Sequence, residues 1–256
     1  MTYPFTPHLP DRGSDGLSVH LLGRVDWPSA KALQERLAFD LSGRTDRHGF
    51  LLLCEHPPGV TVGREGSRAD LRCDERDLRS RSMEVDWVAR GGGAIVHSPG
   101  QLCAYPVVPV AERGPDDENP LTPALLRDVL VSAASATCDD LRVSNEITPD
   151  GAAVSARTGI VAEVGAGVRG GFSRWGLFLS VAPAMEFPRM AVRPGGAEGG
   201  GTVSSLSAAR HNPVSMPAVR SSLIRRLSEG LGYDTVHTFT GHPLLRRTTR
   251  RTYVPA

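Results

Sequence analysis

Apolar residues recur along this chain with two periods, and each period predicts its own kind of element. Leu17 to Leu22 reads as an opening strand. Trp27, Ala30, Leu33, Leu37 and Leu41 then fall three or four residues apart. That spacing draws one apolar stripe down a helix capped by Asp26, with Pro28 in its first turn and its end near Asp40. Phe50-Leu51-Leu52-Leu53-Cys54 is a continuous apolar run, too short for a stable helix and therefore a buried strand. Gly59 to Gly63 predicts a second short strand, and Arg64 to Arg81, with few apolar anchors, a mobile loop with one helical turn. Thr122-Pro123 caps a helix to about Asp139 that buries Leu125, Leu126, Val129, Leu130 and Ala133. Weaker strands fall at Leu141 to Val143 and Ala152 to Val154. Arg157 to Val168 and Trp175 to Val181 form an antiparallel pair around Gly170-Gly171. Pro183 to Ser205 reads as a flexible surface loop, Pro217 to Gly230 as a helix, and Tyr233 to Phe239 as a last strand. Repeats and linkers are not evident. The expectation is one α+β domain over 1–256, with flexible termini at about 1–16 and 244–256.

Chemistry concentrates between Trp87 and Val108, WVARGGGAIVHSPGQLCAYPVV. Arg90-Gly91-Gly92-Gly93 carries a large entropy cost unless its backbone is needed at positive φ or close to a ligand. Ala94-Ile95-Val96 resumes an extended run, His97 ends it, Ser98-Pro99-Gly100 turns, and Leu102 to Val110 reads as the second strand of a hairpin. Neither GxGxxG nor GxxxxGK[ST] is present, so a nucleotide loop is not expected. The residue types suit a floor on which backbone N–H groups and the Arg90 guanidinium approach an elongated ligand, with His97 near its polar end. A plain hairpin with glycine bulges is the alternative.

Composition narrows the classes. The formal net charge is +1, on 29 basic and 28 acidic residues, which argues against a nucleic-acid binder driven by bulk charge. Apolar runs stay far below the ~18 residues that span a bilayer, and the first residues lack the basic and apolar regions of a secretory signal. Cys54, Cys73, Cys103 and Cys138 have no metal-ligand spacing, so reduced thiols in the cytoplasm and no metal are expected. Lys31 is the only lysine. Any mechanism that needs a lysine elsewhere is thereby excluded.

LLGRVDWPSAKALQERLAF, LLLCEHPPGVTVGRE, RGGGAIVHSPGQLCAYPVV, GAGVRGGFSRWGLFLSV and LGYDTVHTF, in this order, resemble the lipoyl(octanoyl) transferases over roughly Leu17 to Phe239. EHPP followed by Gly63-Arg64, and RGG followed by HxPGQLxxYP, are the most specific pieces. The resemblance implies the fold of biotin and lipoate protein ligases, a mixed sheet flanked by helices with substrate in a tunnel over it. It implies transfer of octanoyl from acyl carrier protein to a lipoyl-domain lysine, with those two proteins as partners and no cofactor. The segment Arg90, Gly91, Gly92, Gly93, Ala94, Ile95, Val96 and His97 matches the family's acyl-binding segment. Glu163-Val164-Gly165 and Gly176-Leu177-Phe178 match two more that line the tunnel.

Two departures bear on the chemistry. The family uses a cysteine nucleophile and a lysine that lowers its pKa, since the thiolate is the reactive form. Here the lysine position falls on Ile160 and the cysteine position on Gly195, with no cysteine after Cys138. Three readings stay open. A relocated nucleophile could be Cys103 paired with His97, or Cys54 beside Glu55-His56. Direct transfer could rely on positioning alone, with Arg157 or Arg193 supplying charge. A non-catalytic relative could bind an acyl chain or a carrier protein. Outside the family, another acyl or carboxylate substrate is the further alternative.

Overall fold

The computed structural model describes residues 16–44, 46–111, 121–191 and 202–245. The terminal segments expected to be flexible, and Arg193 and Gly195, lie largely or wholly outside them. In chain order the elements are β1 (Gly16–Arg24), α1 (Trp27–Ser42), β2 (His48–Glu55), β3 (Gly59–Val62), α2 (Glu75–Ser80), β4 (Val85–Trp87), β5 (Ala94–His97) and β6 (Gln101–Val107). There follow α3 (Pro123–Asp140), β7 (Asn145–Ile147), β8 (Ala153–Ala156), β9 (Gly159–Arg169), β10 (Phe172–Ser180), α4 (Leu206–Arg210), α5 (Met216–Leu231) and β11 (Thr235–Thr240).

Eight strands form a mixed sheet in the order β11-β1-β2-β6-β10-β9-β8-β7, and β4-β3-β5 form a small second sheet. β1 runs parallel to both β11 and β2, while β2, β6, β10, β9, β8 and β7 alternate in direction. The Leu51–Cys54 run is apolar throughout because the large sheet is covered on both sides. Leu51 and Leu53 pack with α3 and α5, whereas Leu52 and Cys54 pack with α1. The α1 stripe holds, with Trp27, Ala30, Leu33, Leu37 and Leu41 all buried and Asp26 accepting from the Ser29 N–H at 2.8 Å.

Three expectations are corrected. β5 and β6 are not a hairpin: β5 pairs with β3 in the small sheet, and β6 with β2 and β10 in the large one. The Ser98–Gly100 turn passes the chain between sheets. The 64–81 segment is anchored, with Leu71 and Leu78 in a third core beneath the small sheet and Asp74 capping α2 through a capping box with Asp77. The weak strand expected at Leu141–Val143 forms instead at Asn145–Ile147, after α3 closes at Leu141.

Candidate active site

Arg90 is fully buried, and its guanidinium turns inward rather than toward a ligand. Nη2 donates to Thr61 O (2.8 Å), Thr61 Oγ1 (2.9 Å) and Gly93 O (2.9 Å), and Nη1 to Gly91 O (2.8 Å). In this arrangement the guanidinium ties the glycine loop to β3. Its Nε has no partner among the described residues, and its Cζ lies 5.5 Å from the centroid of the Phe178 ring. Burial lowers its pKa to about 10, against the opposing pull of Glu163.

The glycines serve this packing. Gly92 takes φ +76, and Gly91 N–H donates to Ala166 O at 2.8 Å. A Cβ on Gly167 would stand 2.5 Å from Ala89 O, and one on Gly63 would stand 2.3 Å from Gly92 O. Both contacts are to backbone, so the loop crosses the strands at a distance only glycine allows.

His97 lies between the two sheets, 2% exposed, with both ring nitrogens occupied. Gln101 Oε1 can only accept, so His97 Nδ1–H donates to it (2.8 Å) and Nε2 accepts from Thr61 Oγ1–H (2.8 Å). His56 is fixed likewise: Nδ1–H donates to Val25 O (2.6 Å) and Nε2 accepts from Tyr105 O–H (2.8 Å). Burial holds both imidazoles neutral, taking His56 down to about 4 and His97 well below the ordinary value. Neither has a nitrogen left to serve as a base.

Cys103 and His97 share an acceptor, Gln101 Oε1, which lies 3.8 Å from Cys103 Sγ. Cys103 is wholly buried opposite Cys54, and burial pushes its thiol up to about 12. Cys54 Sγ lies 3.7 Å from His56 Nε2, but that nitrogen already takes the Tyr105 proton and burial raises the thiol strongly. A thiolate is therefore disfavoured at either position. Iodoacetamide on the native protein is expected to modify the half-buried Cys73 and to spare Cys54, Cys103 and Cys138, with all four reacting in urea. Native labelling of Cys103, read by peptide mass, would contradict this burial.

Several residues that sequence reasoning passed over complete the site. Trp27 stacks on Trp175 (4.6 Å, 8°) and on His97 (4.7 Å, 28°), filling the space between the sheets with Tyr105 and Phe178. Trp175 has φ +59, a strained conformation for a bulky residue, and its N–H donates to the buried Gln34 Oε1 at 2.6 Å. The buried polar Gln34 on the apolar face of α1 was the available signal.

Two openings flank β5. A cleft of about 10 Å³ is lined by Ala94, Ile95, Val96, Gln101, Glu163, Pro188, Ala191 and Val203. A cavity of about 180 Å³ has buried Trp27, His56, Val60, Thr61 and His97 among its walls and Asp26, Glu84 and Asp86 also lining it. The cleft has room for one water at most, so an acyl chain enters it only if its walls part. Glu163 is half-buried on the cleft. Val164 and Leu177 belong to the core under α3 and α5, so these two expected tunnel residues can present only backbone to the site. Gly176 packs against Ala104 O. Ile160 is buried and bonded through its backbone to Thr202 and Ser204. Arg157 is engaged with His211.

The Lipoyl protein ligase A/B catalytic domain model matches residues 27–166. The octanoyltransferase of Geobacter metallireducens is 32% identical over 210 residues, covering 82% of this chain and 91% of that protein. The octanoyltransferase of Syntrophotalea carbinolica is 34% identical over 209 residues, covering 81% and 91%. Among solved structures, lipoate-protein ligase A bound with ATP superposes with a TM-score of 0.66 at 18% identity, covering 89% of this chain and 90% of that one. A lipoate protein ligase of T. acidophilum with bound lipoic acid gives 0.63, covering 88% and 90%. The family model over residues 27–166 and the octanoyltransferases matched over four-fifths of the chain lead to one conclusion: the chain belongs to the lipoyl(octanoyl) transferase family.

Proposed function

We propose that this protein is an acyltransferase that moves octanoyl from acyl carrier protein to a lipoyl-domain lysine directly, with no covalent acyl-enzyme. The chain acts as a single domain, and the Arg90–His97 segment with Glu163 and Phe178 forms the substrate side of the sheet. The observation that carries the reading is the rigid Arg90 loop beside the Glu163 cleft, in a chain whose relatives are named octanoyltransferases. A T. acidophilum lipoate ligase of this fold (TM-score 0.60, 17% identity) is described together with its E2 lipoyl domain, which supports a lipoyl domain as acceptor. Direct transfer is supported by the burial of Cys54 and Cys103, which raises both thiols, and by the absence of any lysine after Lys31. Holding donor and acceptor together is itself worth several kcal/mol of barrier, of the ~7–11 that ideal positioning can supply.

Incubation with octanoyl-acyl carrier protein alone is expected to leave the mass of this protein unchanged. Adding an apo lipoyl domain is expected to produce octanoyl-lysine on that domain. A stable octanoyl adduct on this protein would replace direct transfer by a relocated nucleophile, and absence of product on the lipoyl domain would reduce the protein to a binding module.

A further inference from the structure

We propose that Glu163 is the base that accepts the proton of the attacking lysine amine, a role resting on the direct transfer described above. Among the described residues that line the cleft, Glu163 is the ionisable one. The groups around it cannot substitute. Both nitrogens of His97 are engaged, Arg90 is a cation with no acceptor, and Cys103 carries its proton inside the core.

Strand geometry aims Glu163 at the glycine loop. It lies on β9 opposite Phe178 of β10, and Gly165, two residues on, shares its face. A Cβ on Gly165 would meet the Phe178 ring and Arg90 Cδ, so this face of β9 is the one the Arg90 loop covers. The Glu163 carboxylate stands near enough to oppose, in part, the lowering that burial imposes on Arg90.

The chemistry needs such a group. A lysine amine of pKa ~10.4 is overwhelmingly ammonium at neutral pH, and the neutral fraction that attacks keeps one proton too many once the C–N bond has formed. In the proposed step the amine nitrogen bonds to the thioester carbonyl carbon, the C–S bond breaks, and the donor leaves as a thiolate. The surplus proton passes from nitrogen to the Glu163 carboxylate, which later returns it to the thiolate or to solvent. No electron acceptor or metal is required for this balance.

Single-turnover transfer from octanoyl-acyl carrier protein to an apo lipoyl domain tests the role. Glu163→Gln is expected to slow transfer by ~100-fold or more, within the range of a lost general base, with the KM for donor unchanged. The acid limb of the pH–rate profile, set by ionisation of the base, is expected to disappear with it, while the rise set by deprotonation of the lysine amine remains in every variant. Glu163→Asp keeps a carboxylate and is expected to retain the acid limb at a reduced rate, which a merely structural role would not produce. Thermal melts of both variants establish that they fold, and the Asp variant keeps the question open to disproof if the Gln variant does not. A Glu163→Gln rate within threefold of the unaltered protein, or an unchanged pH profile, overturns the role of Glu163 alone. No octanoyl-lysine from the unaltered protein overturns the proposed function as well.

Discussion

Arg90→Met is expected to destabilise the fold by about 1–3 kcal/mol, the cost of leaving a buried acceptor without its donor. Methionine fills much of the same volume, so the loss is polar in origin. Gly91 O loses the donor that Nη1 supplies, and Thr61 O, Thr61 Oγ1 and Gly93 O all lose Nη2. Gly93 O keeps Gly63 N–H at 3.1 Å, but Gly91 O has no such reserve among the backbone bonds that join loops here. A carbonyl stranded in a dry interior costs about 1–3 kcal/mol. Arg90→Lys keeps the charge and loses the planar fork, so it is expected to be nearly as harmful. Urea unfolding monitored by circular dichroism measures both; a loss below ~1 kcal/mol for Arg90→Met would show that the loop holds its shape without the guanidinium.

Acid is expected to weaken the fold well above the carboxylate range. His56 has a folded pKa of about 4 because burial disfavours its charged form, and His97 is shifted the same way. An unfolded histidine titrates near 6.5. Between these values the unfolded chain binds a proton that the native state refuses, so stability rises with pH across the window and falls as pH drops from about 6.5 to about 4. For His56 alone this amounts to on the order of 3 kcal/mol across the window. Asp140, held at about 2 by Arg226, behaves differently: its contribution is present above pH 3.8 and is lost only as pH falls toward 2. Urea midpoints at pH 7.5, 6, 5 and 3 separate the two windows. His56→Gln, whose amide can still donate to Val25 O, is expected to flatten part of the slope. Equal stability at pH 7.5 and 5 in the unaltered protein would mean that the imidazoles reach water.

Local patterns carried much of this architecture, because they report burial. The α1 stripe, the α3 and α5 stripes and the two-faced Leu51–Cys54 run each require a covering layer whatever the topology. Pairing partners are another matter. Ala94–His97 and Gln101–Val107 stand three residues apart and look like hairpin arms, yet β5 is claimed by β3 through the Gly59–His97 to Val62–Ala94 register. Nothing within the hairpin-like stretch reveals that choice. Likewise an arginine before three glycines looks like a ligand loop. Its inward turn depends on Gly63, Gly165 and Gly167, which come from elements far away in sequence. The capping box at Asp74 and Asp77 was legible and would have placed α2. Glu163 was found through its segment, whereas its isolation as the ionisable lining residue needed the cleft.

The tryptophan pair gives the protein an optical signature of its own. The chain has three tryptophans. Trp27 and Trp175 lie face to face at 4.6 Å and 8°, while Trp87 stands 65% exposed. Indoles so close and so nearly parallel couple their electronic transitions, and the neighbouring His56 and His97 rings perturb the same chromophore. Near-ultraviolet circular dichroism therefore reads the packing between the two sheets, and fluorescence adds the separate, water-exposed emission of Trp87. An event that parts the sheets near β5 can be followed without attaching a label.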